Sequence, residues 1–131
     1  MITPATVTLT ALRNVGMAPE EFAFTEGGLP LDLTGYTARL QVRQYGFQAG
    51  DPMIALDQVS ALGEGLFFIE PKAGRLVIQI APETLDTLPP PGRAGADVRY
   101  VYDLVLTGPD GIAEVWMEGD FIIQPGKTRL S

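Results

Sequence analysis

The chain has 131 residues, the size of one ordinary domain, and a formal net charge of -7. The negative charge opposes binding to nucleic acid phosphates or to an anionic membrane surface. Histidine and cysteine are absent, which excludes disulfides, the usual zinc sites and Ser-His or Cys-His nucleophiles. We therefore expect a protein that is not an enzyme, with no catalytic residues, no metal and no cofactor.

The start of the chain and its apolar stretches favour a protein made in the cytoplasm. The first ten residues lack the basic and apolar regions of a secretory signal. No apolar stretch approaches the roughly 20 residues needed to span a bilayer, so we expect no membrane partner. Fifteen glycines and eleven prolines separate short apolar runs, which indicates many turns and not disorder.

The first half of the chain contains several runs in which apolar and polar residues alternate, as on strands with one buried face. Apolar residues alternate with threonine from Val7 to Ala11, and Phe22 and Phe24 indicate a short second strand. The clearest alternation is at 36–43, and 54–59 can form a further short strand.

The second half predicts two hairpins joined by a short helix. The first hairpin lies near 66–80 and the second at 98–124, where G-P-D-G turns the chain. Between them, the segment 82–88 begins with proline and ends before three consecutive prolines, which indicates a helix of barely two turns.

Together these elements predict an all-β chain of one domain, residues 1–131, without an internal repeat or linker. Short strands at roughly ten-residue spacing are typical of an antiparallel sandwich. We expect an antiparallel Ig-like β-sandwich of about seven or eight short strands, with one short helix near 82–88. The predicted core comprises the apolar side of each alternating run: Phe22, Phe24, Leu40, Val42, Leu76, Ile78, Tyr100, Tyr102, Leu104, Phe121 and Ile123.

Two aromatic features point to contacts with other molecules. Trp116 lies on the polar side of the last predicted strand if Val115 and Met117 point inward, and indoles are common anchors of interfaces. Alternatively, another element covers Trp116, or a bulge at Gly119 moves it inward. Tyr45 and Phe47 lie in a glycine-containing loop that either presents them to a partner or folds back on the core.

A third candidate surface is the N-terminal segment through Val15 and Met17, which follows the first predicted strand. The acidic residues give no comparable signal. Asp103, Glu114, Glu118 and Asp120 are all expected on outward-facing sides of the second hairpin. A solvated sheet face explains them without a pair of catalytic carboxylates, and isolated acids beside glycines do not make a calcium loop.

Several motifs, taken in order, resemble a known family. They are P-L-D-L-T-G-Y-T at 30–37, a short apolar strand near Ile54, a helix ending in L-P at 88–89, Y-V-Y-D-L at 100–104 and G-D-F-I-I-Q-P at 119–125. Small structural proteins of tailed bacteriophages, and the N-terminal domain of siphophage upper baseplate proteins, are similar over about residues 20–125.

The resemblance implies an Ig-like β-sandwich built into a virion, in the tail, the baseplate or a tail junction. Such a subunit contacts other phage structural proteins and repeated copies of itself in a ring or lattice, and no catalytic residues carry over. Two alternatives remain open. One is a carbohydrate-binding, receptor-binding accessory module that uses Trp116, Tyr45 and Phe47 for stacking, and the other is a head decoration protein.

Overall fold

The structure, a computed structural model, describes residues 4–46 and 48–128, and most of them lie in strands. In chain order the strands are β1 (Ala5–Thr6), β2 (Leu9–Leu12), β3 (Met17–Ala23), β4 (Thr25–Glu26), β5 (Leu29–Pro30), β6 (Thr37–Arg43), β7 (Ile54–Val59), β8 (Gly65–Glu70), β9 (Arg75–Ile80), β10 (Val98–Thr107) and β11 (Ala113–Gln124). A 3-10 turn spans Pro71–Ala73, and one α-helix, α1, spans Pro82–Asp86. No helix of the described residues is long and apolar enough to cross a membrane.

Strands β10 and β11 form the long hairpin that the sequence predicts. Gly111 adopts a φ of 84°, and its N–H donates to the carbonyl of Gly108 at 2.9 Å. The N–H of Gly108 donates in turn to the carbonyl of Ile112 at 3.0 Å. The turn therefore uses glycine where an L side chain would be strained.

The strands form one curled sheet in the order β1-β11-β10-β6-β7-β8-β9-β3, and β2 also pairs with β11. Strand β7 connects the two halves of this sheet. Its residues Ile54 to Asp57 pair with β6, whereas Gln58 and Val59 pair with β8. A small separate ribbon is formed by β4 and β5.

The prediction of an all-β chain is confirmed, but the sheet is mixed and not purely antiparallel. Strands β1 and β2 both run parallel to β11, and β7 runs parallel to β8. Alternation along one strand reports which face is buried and carries no information on the partner strand. The described residues also contain eleven strands, more than the seven or eight expected, since three of them have only two residues.

The core lies between the inward faces of the two halves. Every residue of the predicted core is buried except Phe22, which is half-buried and packs against the margin of the core. Phe22 lies near the end of β3, an edge strand that pairs only with β9. It therefore lacks a neighbouring strand on one side, which explains its partial exposure.

The two edges of the curled sheet meet in the first part of the chain. Strand β2 belongs to one edge and β3 to the other, and a bridge between Leu12 and Gly16 joins them at their common turn. Toward the opposite end, Trp116 of β11 meets Phe24, which follows β3. The two rings are edge-to-face, with centroids 5.9 Å apart and an interplanar angle of 86°.

The N-terminal segment runs parallel to β11 and passes Gly119 between its two paired stretches, β1 and β2. Gly119 has a φ of 150°, and a Cβ there would lie 2.5 Å from the carbonyl oxygen of Val7. The Tyr102 hydroxyl donates to the same oxygen at 2.6 Å, and the Val7 N–H donates to the Glu118 carbonyl at 2.9 Å. Burial raises the pKa of Tyr102 well above its usual value. A glycine at 119 is thus required for the close approach of the two backbones.

Helix α1 begins with Pro82, as predicted, but ends at Asp86, two residues earlier than expected. Its start is held by the loop before β8. The Glu64 carboxylate accepts hydrogen bonds from the Ala81 N–H at 2.8 Å and from the Thr84 hydroxyl at 2.5 Å. One carboxylate oxygen of Glu64 thus accepts hydrogen bonds from two donors at the start of α1.

Candidate interaction surface

The loop after β6 is braced from within and presents Tyr45 to solvent. The Arg43 guanidinium donates to the carbonyls of Gln48 and Gly50, each at 2.9 Å. The Gln44 N–H donates to the Gln48 side-chain oxygen at 2.5 Å. The Tyr45 residue remains 60% exposed, so it does not fold back on the core. Phe47, its predicted companion, lies outside the described residues.

The tight turn between β2 and β3 exposes two aliphatic side chains. Val15 is 43% exposed and Leu12, at the end of β2, is 37% exposed. The N–H groups of Val15 and Gly16 both donate to the Leu12 carbonyl, at 3.2 and 2.7 Å. A Cβ at Gly16, where φ is 77°, would lie 2.3 Å from the Ile80 carbonyl oxygen. The turn therefore packs closely on the end of β9 with Val15 outside.

Met17 does not belong to this exposed surface, and the expectation that it would is wrong. The residue is 3% exposed and is part of the core. The reason is that Met17 is already the first residue of β3 and pairs with Ile80 of β9. From the sequence, Met17 belongs to the segment after the first predicted strand, where its side chain is expected at a contact surface.

Trp116 is half-buried against the core, so of the alternatives for this residue the structure favours the one in which it is covered and not the one in which it is exposed. Its position follows from an irregularity in the pairing of β10 with β11. Leu104 pairs with Met117, and the next residue of β10 pairs with Val115. Trp116 is the extra residue of a β-bulge, which changes the direction of a side chain within a strand. The bulge lies at Trp116 itself and not at Gly119.

The same bulge changes the face on which the start of β11 points. Val115, expected inside, pairs with the half-buried Val105 of β10. Glu114, expected on the outward side, pairs with the buried Leu106 and is half-buried. The alternation of inward and outward residues that places Glu118 outward is therefore interrupted at Trp116 and does not apply to residues 113–115.

The structure does not bring the candidate aromatic residues together. Tyr45 follows β6, whose last residue pairs with Val101 near the start of β10. The turn carrying Val15 follows Leu12, which pairs with Gln124 at the end of β11. Both features extend beyond the same end of the sheet, which we call the turn end. Trp116 lies toward the opposite end and does not form a common stacking surface with Tyr45.

A polar depression lies on the solvent-facing side of β6, β7 and β10. It has a volume of about 780 Å³, and its lining includes Arg39, Asp57 and Asp103. Arg39 and Asp57 form an exposed ion pair at 3.0 Å. Partial burial, together with the charge of Glu118, raises the pKa of Asp103, and Arg43 opposes this shift.

Asp103 pairs directly with Glu118 across β10 and β11, an arrangement of like charges that opposes stability. In the part of the chain that the structure describes, no group of three or more acidic residues is arranged to hold a metal ion. The polar depression lined by Arg39, Asp57 and Asp103 therefore offers charged and hydrogen-bonding groups for contact with another molecule.

Three further large apolar side chains are exposed, one in the short strand β5 and two in loops, and sequence reasoning did not identify them. Leu29 is 70% exposed, Leu62 58% and Ile112 61%. Each stands next to or one residue from a glycine in a turn or loop, and Gly28 and Gly111 have positive φ. A neighbouring glycine is not by itself a signal of exposure, because Leu66 beside Gly65 and Met17 beside Gly16 are buried.

Comparison with protein-family models finds no family that matches this chain, and comparison with curated proteins finds no match.

Proposed function

We propose that this chain is a structural subunit of a tailed bacteriophage virion, in the tail, the baseplate or a tail junction. In this proposal the curled sheet is an Ig-like sandwich that acts through protein–protein contacts in a symmetric assembly. The observation that carries the proposal is the turn end, where the braced loop after β6 holds Tyr45 in solvent and the turn between β2 and β3 exposes Val15 and Leu12. Rigid presentation of the Tyr45 ring reduces the entropy lost on binding.

The positions of the phage-like motifs also support this function. The D-L-T-G motif leads into β6, Y-V-Y-D-L lies in β10, and G-D-F-I-I-Q-P begins in β11. These three strands are neighbours in the sheet. Within them, Tyr102 pairs with Gly119 and Tyr100 with Phe121, so residues of two motifs stand opposite each other. The motifs thus form one packed unit and are not scattered turn signals.

The alternative of a carbohydrate-binding module has less support. It requires a platform of stacked aromatic residues, and Trp116 lies toward the other end of the sheet from Tyr45, packed on Phe24.

The acidic charge of the chain suits a subunit that remains dispersed before it assembles, since like-charged copies repel at a distance. Contacts that are weak individually then become strong in a ring by effective concentration.

The test is to locate the protein in phage particles. Particles of the phage whose genome encodes this chain are purified, and an antibody against the chain is applied with gold labelling in electron microscopy. We expect label at the tail or its junctions. Intact particles without the protein would refute a virion role, and label confined to the capsid surface would support the head decoration alternative.

A pair of variants tests the turn end itself. Tyr45→Ala removes an exposed ring without disturbing the core, and Leu62→Ala removes an exposed side chain from a different loop. We expect Tyr45→Ala to reduce incorporation into particles about ten-fold or more, the loss typical of an interface anchor. Leu62→Ala serves as the matched control. Equal incorporation of Tyr45→Ala and the unchanged chain would exclude Tyr45 as an anchor, and specific binding of the unchanged chain to a glycan array would support the carbohydrate-binding alternative.

A further inference from the structure

The N-terminal strap, residues 4–12, is attached to one edge of the sheet. Strands β1 and β2 pair with β11, and β2 meets β3 only around the turn between them. Both residues of β1 are exposed. Leu9 and Ala11, each 1% exposed, are the fully buried side chains of the strap, and Val7 is half-buried. The strap therefore occupies a defined site while depending on few buried side chains.

In the hinge, residues 13–16, two polar side-chain atoms are buried without a hydrogen bond. Among the described residues, the side-chain atoms that are buried without a hydrogen-bond partner are Nη2 of Arg13 and Oδ1 of Asn14. One other polar group of each side chain is bonded: Nη1 of Arg13 donates to the Leu85 carbonyl at 3.1 Å, and Nδ2 of Asn14 donates to the Thr128 carbonyl at 2.7 Å. Buried polar atoms without partners cost free energy, and opening the hinge returns them to water.

We propose that the N-terminal strap opens as a unit at the hinge and can occupy the same site on a second copy of this chain. The second copy is the occupant that fits, because the site is already shaped for this sequence. It offers the edge of β11, cavities for Leu9 and Ala11, and the Tyr102 hydroxyl for the Val7 carbonyl. Exchange regains every one of these contacts in trans, while the extended hinge exposes the two unpartnered atoms. This is the condition under which strand exchange between copies has a low cost.

Hydrogen exchange of the full chain tests the opening step. We expect the bonded amides of residues 4–12 to share one rate that is about ten-fold or more faster than that of residues 98–107, the strand that pairs with β11 along its length and with β6 from Val101 to Thr107. Tyr102→Phe, which removes the hydroxyl bonded to Val7, should accelerate exchange of all the bonded strap amides by the same factor. A gradual increase of protection from residue 5 to residue 12 would indicate fraying and would overturn unit opening, as would strap protection equal to that of 98–107.

Engineered disulfides test exchange between copies, since the natural chain contains no cysteine. Thr6→Cys with Glu118→Cys joins the strap to β11 at paired positions on one face. The control pair, Thr37→Cys with Thr107→Cys, joins β6 to β10 at paired positions that also share a face.

After incubation at high protein concentration and then oxidation, we expect covalent dimers from the strap pair in a fraction that rises with concentration. The control pair should link only within one chain. Strap cysteines that link only within one chain, or do not link, at every concentration would overturn the exchange. Both tests use the purified chain, so their outcome does not depend on a virion role.

Discussion

Replacing Gly119 with alanine tests the close approach of Val7, the residue after β1, to β11. The φ of 150° at this position suits glycine, and holding an L residue there costs about 1–3 kcal/mol. The new Cβ would also lie 2.5 Å from the Val7 carbonyl oxygen, so the strand must move away. That movement breaks the bond from the Tyr102 hydroxyl, which contributes about 1 kcal/mol. We expect Gly119→Ala to lower the free energy of unfolding by about 2–4 kcal/mol in total.

The control is Gly111→Ala, at the tip of the β10–β11 hairpin. Its φ of 84° is also unsuited to alanine, but a Cβ there meets nothing within 4 Å. We expect a loss of about 1–2 kcal/mol, because only the backbone conformation is penalised. Urea denaturation followed by tryptophan fluorescence measures both variants. If Gly119→Ala is no more destabilising than Gly111→Ala, the close approach of Val7 does not constrain position 119.

A double-mutant cycle separates the two parts of the Gly119 effect. Tyr102→Phe alone removes the hydroxyl that donates to Val7 and should cost about 1 kcal/mol. In the Gly119→Ala background that bond is already broken, so the same change should cost little. Fully additive losses would show that the alanine is accommodated without moving Val7.

Three further predictions follow from burial and charge. Leu104→Ala, at a residue with no exposed surface, should lower the free energy of unfolding by about 2–5 kcal/mol in chemical denaturation; a loss below about 1 kcal/mol would contradict the buried assignment. Trp116→Ala should cost about 1–3 kcal/mol because it removes a half-buried ring and its contact with Phe24, and unchanged stability would show that the ring contact is unimportant. Partial burial and the charge of Glu118 raise the pKa of Asp103 from its ordinary 3.8. The protonated carboxyl is therefore the form that favours folding, so its contribution to stability is present at low pH and is lost as the pH rises through its pKa in the folded chain. Asp103→Asn should therefore stabilise the protein at neutral pH and give no such gain below pH 3.8, as measured by thermal unfolding across pH; a destabilised variant at neutral pH would refute the sign of this shift.

The strands that period-2 alternation predicts were located well. The hairpin expected at 98–124 is found as Val98–Thr107 and Ala113–Gln124, and the strand expected at 36–43 is found as Thr37–Arg43. In these segments one face of the strand packs on the core, so apolar and polar residues alternate along the sequence. The short helix was recognised from Pro82 for the same kind of reason, since proline has a clear preference for the first helical turn.

The candidate surface was predicted less completely, because its geometry depends on pairing. The bulge at Trp116 arises from the register between β10 and β11, and no residue type near Trp116 marks it in the sequence. Met17 was misplaced because its burial depends on Ile80, a residue distant along the chain. The exposure of Val15 agrees with the candidate surface expected from the sequence, whereas for Tyr45 the sequence left exposure and folding back on the core as alternatives. Their common position at the turn end required the topology.

The parallel pairing of the first and last strands also determines how the chain would carry a mechanical load. Ala5 stands beside Met117, and Leu12 stands beside Gln124, so the chain enters β1 and leaves β11 toward opposite ends of the same strand pair. Tension applied through the two ends acts along the strands and slides β1 and β2 against β11. Hydrogen bonds between strands lie across this direction, so the load is shared by many bonds at once. A strand that peels sideways with little resistance can therefore withstand a strong pull along its length.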